Sequence, residues 1–270
     1  MNYLFILSYW KPGYIMTKKS KVIITAGASG IGLETAKTFL KSGAQVAICD
    51  IDKNSLETVK ASFPKIFTQV CDVSSAKDTQ EFIENAARHL GGIDTLVNNA
   101  GVGGPTGKID EITPEDWTKC IEVCLGGQFN CIRSSVVHLK KSNNASIINL
   151  SSAAGRMGFA MRVPYAAAKW GVIGLTKSLA IELGDYNIRV NAVLPGIVAG
   201  TRQEAVLKNK AAARNISYEQ VESEALSYSS IKKYVTASDI ANQIMFLANE
   251  TGSMVSGQAI SVCGDLKMLA

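Results

Sequence analysis

Tyr165 and Lys169 stand four residues apart within Pro164 to Leu183, a stretch predicted to form one long helix, so both share a face. A free phenol ionises near pH ~10 and is a poor base at neutral pH; an adjacent ammonium favours the phenolate. Such a pair can take the proton of a substrate alcohol as hydride leaves its carbon, or return it in the reverse direction. Ser152 lies thirteen residues before Tyr165, directly after a predicted strand, where its hydroxyl can fix a substrate oxygen. Taken alone, Tyr-x-x-x-Lys is more often a surface pair on a helix; the serine upstream shifts that balance.

A second group lies near the N-terminal end. The run Thr25-Ala26-Gly27-Ala28-Ser29-Gly30-Ile31-Gly32 follows the β-branched strand candidate Lys21 to Thr25 and opens a helix. Gly27, Gly30 and Gly32 let backbone approach a pyrophosphate, with Ser29 and Ile31 at the helix start, whose unpaired N–H groups favour an anion. Eighteen residues beyond Gly32, Asp50 ends the next strand. A carboxylate there accepts from the ribose hydroxyls of a dinucleotide and repels a 2′-phosphate, which selects NAD over NADP.

The elements that must carry these groups alternate. Strands are predicted at 21–25, 45–49, 66–71, 93–97, 146–150, 188–193 and 258–262. Helices are predicted at 31–40, 56–62, 79–90, 164–183 and 238–248, and from Pro114, capped by Thr113, to about Lys140. Residues 201–231 are polar and Ala-rich and are expected to be a helical lid over the substrate. Alternation through the whole chain means parallel strands with right-handed crossovers: one α/β domain, a Rossmann-like doubly wound sheet. Ligands in such sheets bind beyond the carboxyl ends of the strands.

Composition narrows the class. The 270 residues are 47% hydrophobic and 19% charged, which excludes a disordered chain. The net charge of +5 is scattered in short Lys pairs, without the clustered face of a nucleic-acid binder. Six cysteines form no CxxC pair and only two histidines accompany them, so neither a disulfide framework nor a metal site is expected, and the chain is expected in the cytoplasm. Met1 to Ile15 has an apolar run too short to span a bilayer and lacks the marks of a secretory signal. Met16 opens a more usual lead into a first strand. Residues 1–15 are therefore expected to be a non-native or disordered extension, and 16–270 the catalytic domain.

From Lys21 to Gly264 the chain resembles the short-chain dehydrogenase/reductase family in its shorter branch. The match rests on the loop at 25–32, Asp50, Asp72, Asn98-Asn99-Ala100-Gly101, Ser152, Tyr165 with Lys169, and Pro195-Gly196, all in order. The resemblance implies an NAD-dependent oxidoreductase acting on a secondary alcohol or ketone, with Ser152, Tyr165 and Lys169 catalytic. It also puts Asp72 and Val73 beside the adenine, Asn99 along the cofactor channel, Lys169 on the nicotinamide ribose, and backbone around Ile197 and Val198 on the carboxamide. A homotetramer is expected by the same analogy.

Departures from the family pattern concern four places. Ala26 stands where glycine is usual, tolerable only at negative φ unless Gly27 absorbs the change. Cys124 holds the position of a customary Asn, with a thiol in place of an amide. Val262-Cys263-Gly264-Asp265 replaces an Asp-Gly-Gly ending, and Thr201 falls one residue late after Pro-Gly. Arg156, Arg162 and Arg202 border the expected substrate region; arginine suits bidentate binding of a carboxylate, so a small anionic hydroxy compound is the expected substrate. A 3-oxoacyl thioester (acyl-carrier-protein) reductase and a non-catalytic NAD-binding regulator are the alternatives.

Overall fold

The computed structural model describes residues 19–267, apart from the side chains of Arg202, Asn209, Lys210 and Ala213. The expectations for residues 1–15, for Met16 and for the Arg202 side chain lie outside the described residues.

Seven strands form one parallel sheet: β1 (Lys21–Thr25), β2 (Gln45–Asp50), β3 (Phe67–Val70), β4 (Thr95–Asn98), β5 (Ser146–Leu150), β6 (Arg189–Pro195) and β7 (Ala259–Val262). Their order is β3-β2-β1-β4-β5-β6-β7. The sheet switches direction at β1, which pairs with β2 on one side and β4 on the other, leaving a crevice at the ends of those strands. The strands are apolar on both faces because both are covered. Along β1, Ile23 packs on the face carrying α3 (Ala76–Leu90) and α5 (Gly127–Leu139), while Val22 and Ile24 pack on the other. That other face carries α1 (Gly30–Lys41), α2 (Lys53–Ser62) and α9 (Ala237–Ala248). Fully buried Phe39 and Phe82 anchor the two layers, each burial stabilising by roughly 1.5–3 kcal/mol.

Several elements differ from the sequence expectation: β4 starts two residues late, and α3 starts three residues early, at Ala76, capped by Ser75. Helix α2 starts at Lys53 because the Asp52 carboxylate accepts from Asn54 N and Ser55 N, a cap lying ahead of the apolar pattern. The helix expected from Pro114 to Lys140 is divided into α4 (Pro114–Ile121) and α5 by a π-helical turn, Glu122–Gly126. Gly127 lets α5 settle against the β3–α3 connection, since a Cβ there would stand 2.6 Å from the Val73 side chain. The segment expected to be a lid contains two helices, α7 (Thr201–Arg214) and α8 (Tyr218–Ser227), broken at Asn215 with φ of 50° and restarted by a Ser217–Gln220 capping box. The long helix α6 runs Val163–Glu182.

Arg189, opening β6, fixes the end of α9. Its guanidinium donates to the carbonyls of Leu247, Ala248 and Gly252 and to Asn144 Oδ1. Burial lowers its basicity, but an arginine stays charged, and the carboxyl end of a helix is where a cation is favoured. Replacing it by methionine removes four charge-assisted hydrogen bonds at once, although Leu247 O, Ala248 O and Gly252 O still accept from Ser146 Oγ, Asn144 Nδ2 and Val255 N. Arg189→Met is expected to cost about 2–4 kcal/mol in urea unfolding, the scale of lost charge-assisted hydrogen bonds. A variant within about 0.5 kcal/mol of the wild type, the ordinary range for a surface change, contradicts this role.

Candidate active site

At the first crevice wall, Gly27 N donates to Cys49 O at 2.9 Å, bringing the loop so close to β2 that a Cβ on Gly27 would stand 2.6 Å from Ile48. Gly32 is more constrained: a Cβ would fall 2.1 Å from the Ala26 carbonyl oxygen. Ser29 is the extended N-cap of α1, and its side chain makes no cap bond. Gly30 has a φ of 51° and open space where a Cβ would project, with Ile31 half-buried beside it. These features form a cradle that fits a pyrophosphate at the helix N-terminus. The Asp50 carboxylate accepts from Ala28 N and Asp52 N, each at 3.2 Å, at the end of β2. That position fits a dinucleotide ribose.

Ala26 overturns one expectation. Its φ is 49°, and Gly27, which was to absorb the change, is not left-handed. The strain is held by Asn99, whose amide donates to Thr25 O and Ala26 O, both at 3.0 Å. The backbone N–H groups of Asn99 and Ala100 in turn donate to Thr25 Oγ1. Asn99 therefore tightens the glycine loop against the end of β4.

Asp72 accepts from the N–H and hydroxyl of Ser74, and the buried Val73 offers its carbonyl to Asn130 Nδ2 at 3.0 Å. Just before them, the Cys71 thiol is pulled down by its hydrogen bond with Cys49, against desolvation, and Cys49 is pushed well up by burial. At β6, Gly196 N donates to Val262 O at 3.0 Å, and a Cβ on Gly196 would meet the Cys263 backbone at 2.7 Å. Val198 bridges to Val235, on either side of the segment that holds α7 and α8.

The second wall is built on α6. Lys169 is 4% exposed, and its ammonium donates to Leu150 O at 2.8 Å at the end of β5. The same ammonium stands 5.7 Å from the centre of the Tyr165 ring, one helical turn away. Ser151 Oγ donates to the Lys169 carbonyl at 2.7 Å, tying α6 to the strand end that carries Ser152. Ser152 is half-buried, and its hydroxyl oxygen accepts from Ala154 N at 3.2 Å. Ser152, Tyr165 and Lys169 thus share one strand end and the helix turn tied to it.

The arginines divide. Arg162, at the N-cap of α6, lies 5.3 Å from the Tyr165 ring centre and donates to Gly103 O. Arg156 is exposed and donates to Ser261 of β7 at 3.1 Å, so its hydrogen bond goes outside the Ser152–Tyr165–Lys169 group.

The chain matches the family model described as short chain dehydrogenase over residues 20–211. It is 36% identical over 248 residues to a 3-oxoacyl-[acyl-carrier-protein] reductase of Thermotoga maritima, covering 90% of this chain and 96% of that one. The protein is a short-chain dehydrogenase. A D-beta-hydroxybutyrate dehydrogenase of Rhizobium meliloti is 32% identical over 256 residues, 92% of this chain and 98% of that one. Among solved structures, an NAD+-bound xylitol dehydrogenase superposes with a TM-score of 0.86 at 25% identity, covering 91% of this chain and 98% of that one. An actinorhodin polyketide ketoreductase with NADPH gives a TM-score of 0.86 at 29% identity, over 91% and 96%. The short-chain dehydrogenase fold and its secondary alcohol and ketone chemistry are therefore this chain's own.

In this short-chain dehydrogenase the π-turn presents Cys124, whose thiol donates to Val102 O and accepts from Val102 N, both at 3.3 Å. It thereby stitches the loop after β4 to the helix. The Cys120 thiol is pushed up by its hydrogen bond to Cys124 and by burial, which disfavours the thiolate. None of the six cysteines is in a disulfide, and among the described residues no group of three or more His, Cys, Asp or Glu side chains could hold a metal.

Sequence reasoning missed Gln128, Ser151 and Thr25. Gln128 carried a signal: an amide four residues after Cys124, on the helix face that buries Cys131, Ile132, Ser135 and Leu139. The left-handed Ala26 yields a prediction. Ala26→Gly relieves about 1–2 kcal/mol of left-handed strain, against about 0.4–1 kcal/mol of added unfolded-state entropy. A raised melting temperature is expected, and a lowered one contradicts the strain.

Proposed function

We propose that this short-chain dehydrogenase is an NAD(H)-dependent enzyme in which Tyr165 is the general acid/base for a secondary alcohol and its ketone. The observation that carries this is the buried Lys169 ammonium 5.7 Å from the Tyr165 ring, anchored at the strand end that bears Ser152. Bound nicotinamide dinucleotide supplies or accepts the hydride. The remaining work falls to the protein. Ser152 holds the substrate oxygen, Tyr165 takes or returns its proton, and Lys169 sets a positive charge beside the phenol and holds the nicotinamide ribose. Asp72 and Val73 border the adenine, Asn99 lines the channel, and Pro195, Gly196 and Val198 offer backbone to the carboxamide. Asp50 favours NAD by repelling a 2′-phosphate.

The substrate proposed is a small anionic hydroxy compound. Arg162, on the Tyr165 ring, is the arginine best situated to meet its carboxylate; Arg202 starts the lid, and Arg156 is the weakest of the three because it faces Ser261. The D-beta-hydroxybutyrate dehydrogenase among the relatives, named for an acidic substrate, supports this reading. The Thermotoga relative supports a second, a 3-oxoacyl thioester reductase. We further propose residues 16–270 as one catalytic domain with 201–231 as its lid, a homotetramer, and a cytoplasmic setting that keeps six free thiols reduced.

NADH formation from NAD+, with NADP+ in parallel, across matched acidic and neutral secondary alcohols and a 3-hydroxyacyl thioester tests the whole reading. NAD+ is expected to exceed NADP+ by about two orders of magnitude in kcat/KM, since like-charge juxtaposition costs several kcal/mol. Tyr165→Phe is expected to lower kcat by about 10²–10⁴-fold, the usual contribution of a positioned acid/base. Turnover of neutral alcohols alone, or an Arg162→Ala enzyme with unchanged KM for every acid, removes the anionic substrate. Thioester turnover alone selects the second reading, and full activity in Tyr165→Phe removes the acid/base.

A further inference from the structure

The carbonyl of Leu150 lies one residue beyond the last β4–β5 pair, Asn98 with Asn149. It is a buried backbone acceptor at the carboxyl end of an interior strand, still in register with Val193 of β6 but past its pairing with β4, and it finds partners among side chains. It has two. Lys169 Nζ donates at 2.8 Å from α6, and Gln128 Nε2 donates at 3.0 Å from α5. A carbonyl oxygen has two lone pairs, so the amide and the ammonium together fill it.

Gln128 is 2% exposed, and its own Oε1 has no hydrogen-bond partner. An apolar side chain of similar size would fill this part of α5 without burying an unmet acceptor. The amide carries that cost, and among the described residues its partner is the oxygen that anchors Lys169. The ammonium is also bounded on a second side: a Cβ on Gly101 would stand 3.5 Å from Lys169 Nζ.

We propose that Gln128 is a positioning residue for Lys169, occupying the lone pair of Leu150 on the α5 side so that the ammonium takes the other, toward Tyr165 and the cofactor. This rests on Lys169 meeting the nicotinamide ribose. Without the amide, the ammonium gains a second anchoring direction, away from the ribose. The consequence is weaker dinucleotide binding, reached only through Lys169.

The test is NADH affinity, by fluorescence titration of the full chain, in wild type, Gln128→Met, Lys169→Met and the double variant. Gln128→Met is expected to weaken NADH by about fivefold, the factor a single hydrogen bond commonly commands. In the Lys169→Met background the same change is expected to have no further effect, because residues acting through one group are not additive. An unchanged affinity in Gln128→Met, or an equal loss in both backgrounds, overturns the proposal. Gln128→Glu keeps the volume and repels the Leu150 carbonyl; it is expected to weaken NADH with the same dependence on Lys169 and serves should the methionine variant misfold. The two readings fail separately. Lys169→Met with wild-type NADH affinity removes the lysine from the cofactor site, whereas a weakened Lys169→Met with an indifferent Gln128→Met removes only the glutamine.

Discussion

A parallel sheet ends in backbone groups that its strands no longer satisfy, and in this protein the critical one is the buried carbonyl of Leu150. The Lys169 ammonium is bound to it at 2.8 Å, which fixes α6 across the end of β5 and brings Tyr165 to the crevice one turn earlier. The approach is tight. Gly155 must be glycine, because a Cβ there would lie 2.4 Å from Ser151 Oγ and 2.8 Å from the Lys169 carbonyl. One acceptor left open by the strands thus determines where the ammonium sits, 5.7 Å from the centre of the Tyr165 ring.

The π-turn serves the same carbonyl from the other side. It breaks what would be one helix and presents two polar side chains inward from successive turns. Cys124 clips the loop after β4 through Val102, and Gln128 reaches β5 through Leu150. A thiol is a weak donor and acceptor, yet it meets both backbone groups of Val102, which is what holding that loop requires. Cys124 therefore retains a structural tie at a position where an amide is customary.

Strain at the glycine loop is balanced by a similar economy of contacts. Ala26 stands in a left-handed conformation that a β-carbon disfavours, and the Asn99 amide holds both carbonyls on either side of that residue's φ. The same segment, Asn98 to Gly101, meets the phosphate cradle at one end and the lysine pocket at the other. The loop after β4 is thereby the joint between the two walls of the crevice.

Much of this was legible from the chain. Unbroken apolar runs of about five residues between helical periods are what a sheet covered on both faces demands, so the seven strands and their parallel sense followed from local pattern. Asp50, Ser152, Tyr165 and Lys169 stood out as candidates by residue type and spacing, and the structure sets the last three at one strand end and the helix turn tied to it. The rest was decided only when distant segments met. The sign of φ at Ala26 depends on Asn99, seventy-three residues on. The partner of Arg156 is on β7, 105 residues away, and the partner of Gln128 is a main-chain oxygen with no residue type to betray it. Sequence determined which elements form and which groups are candidates for chemistry, because propensity, periodicity and side-chain type are local. Which carbonyl is left open, and which cation answers it, the tertiary structure alone decided, because that depends on where neighbouring strands stop.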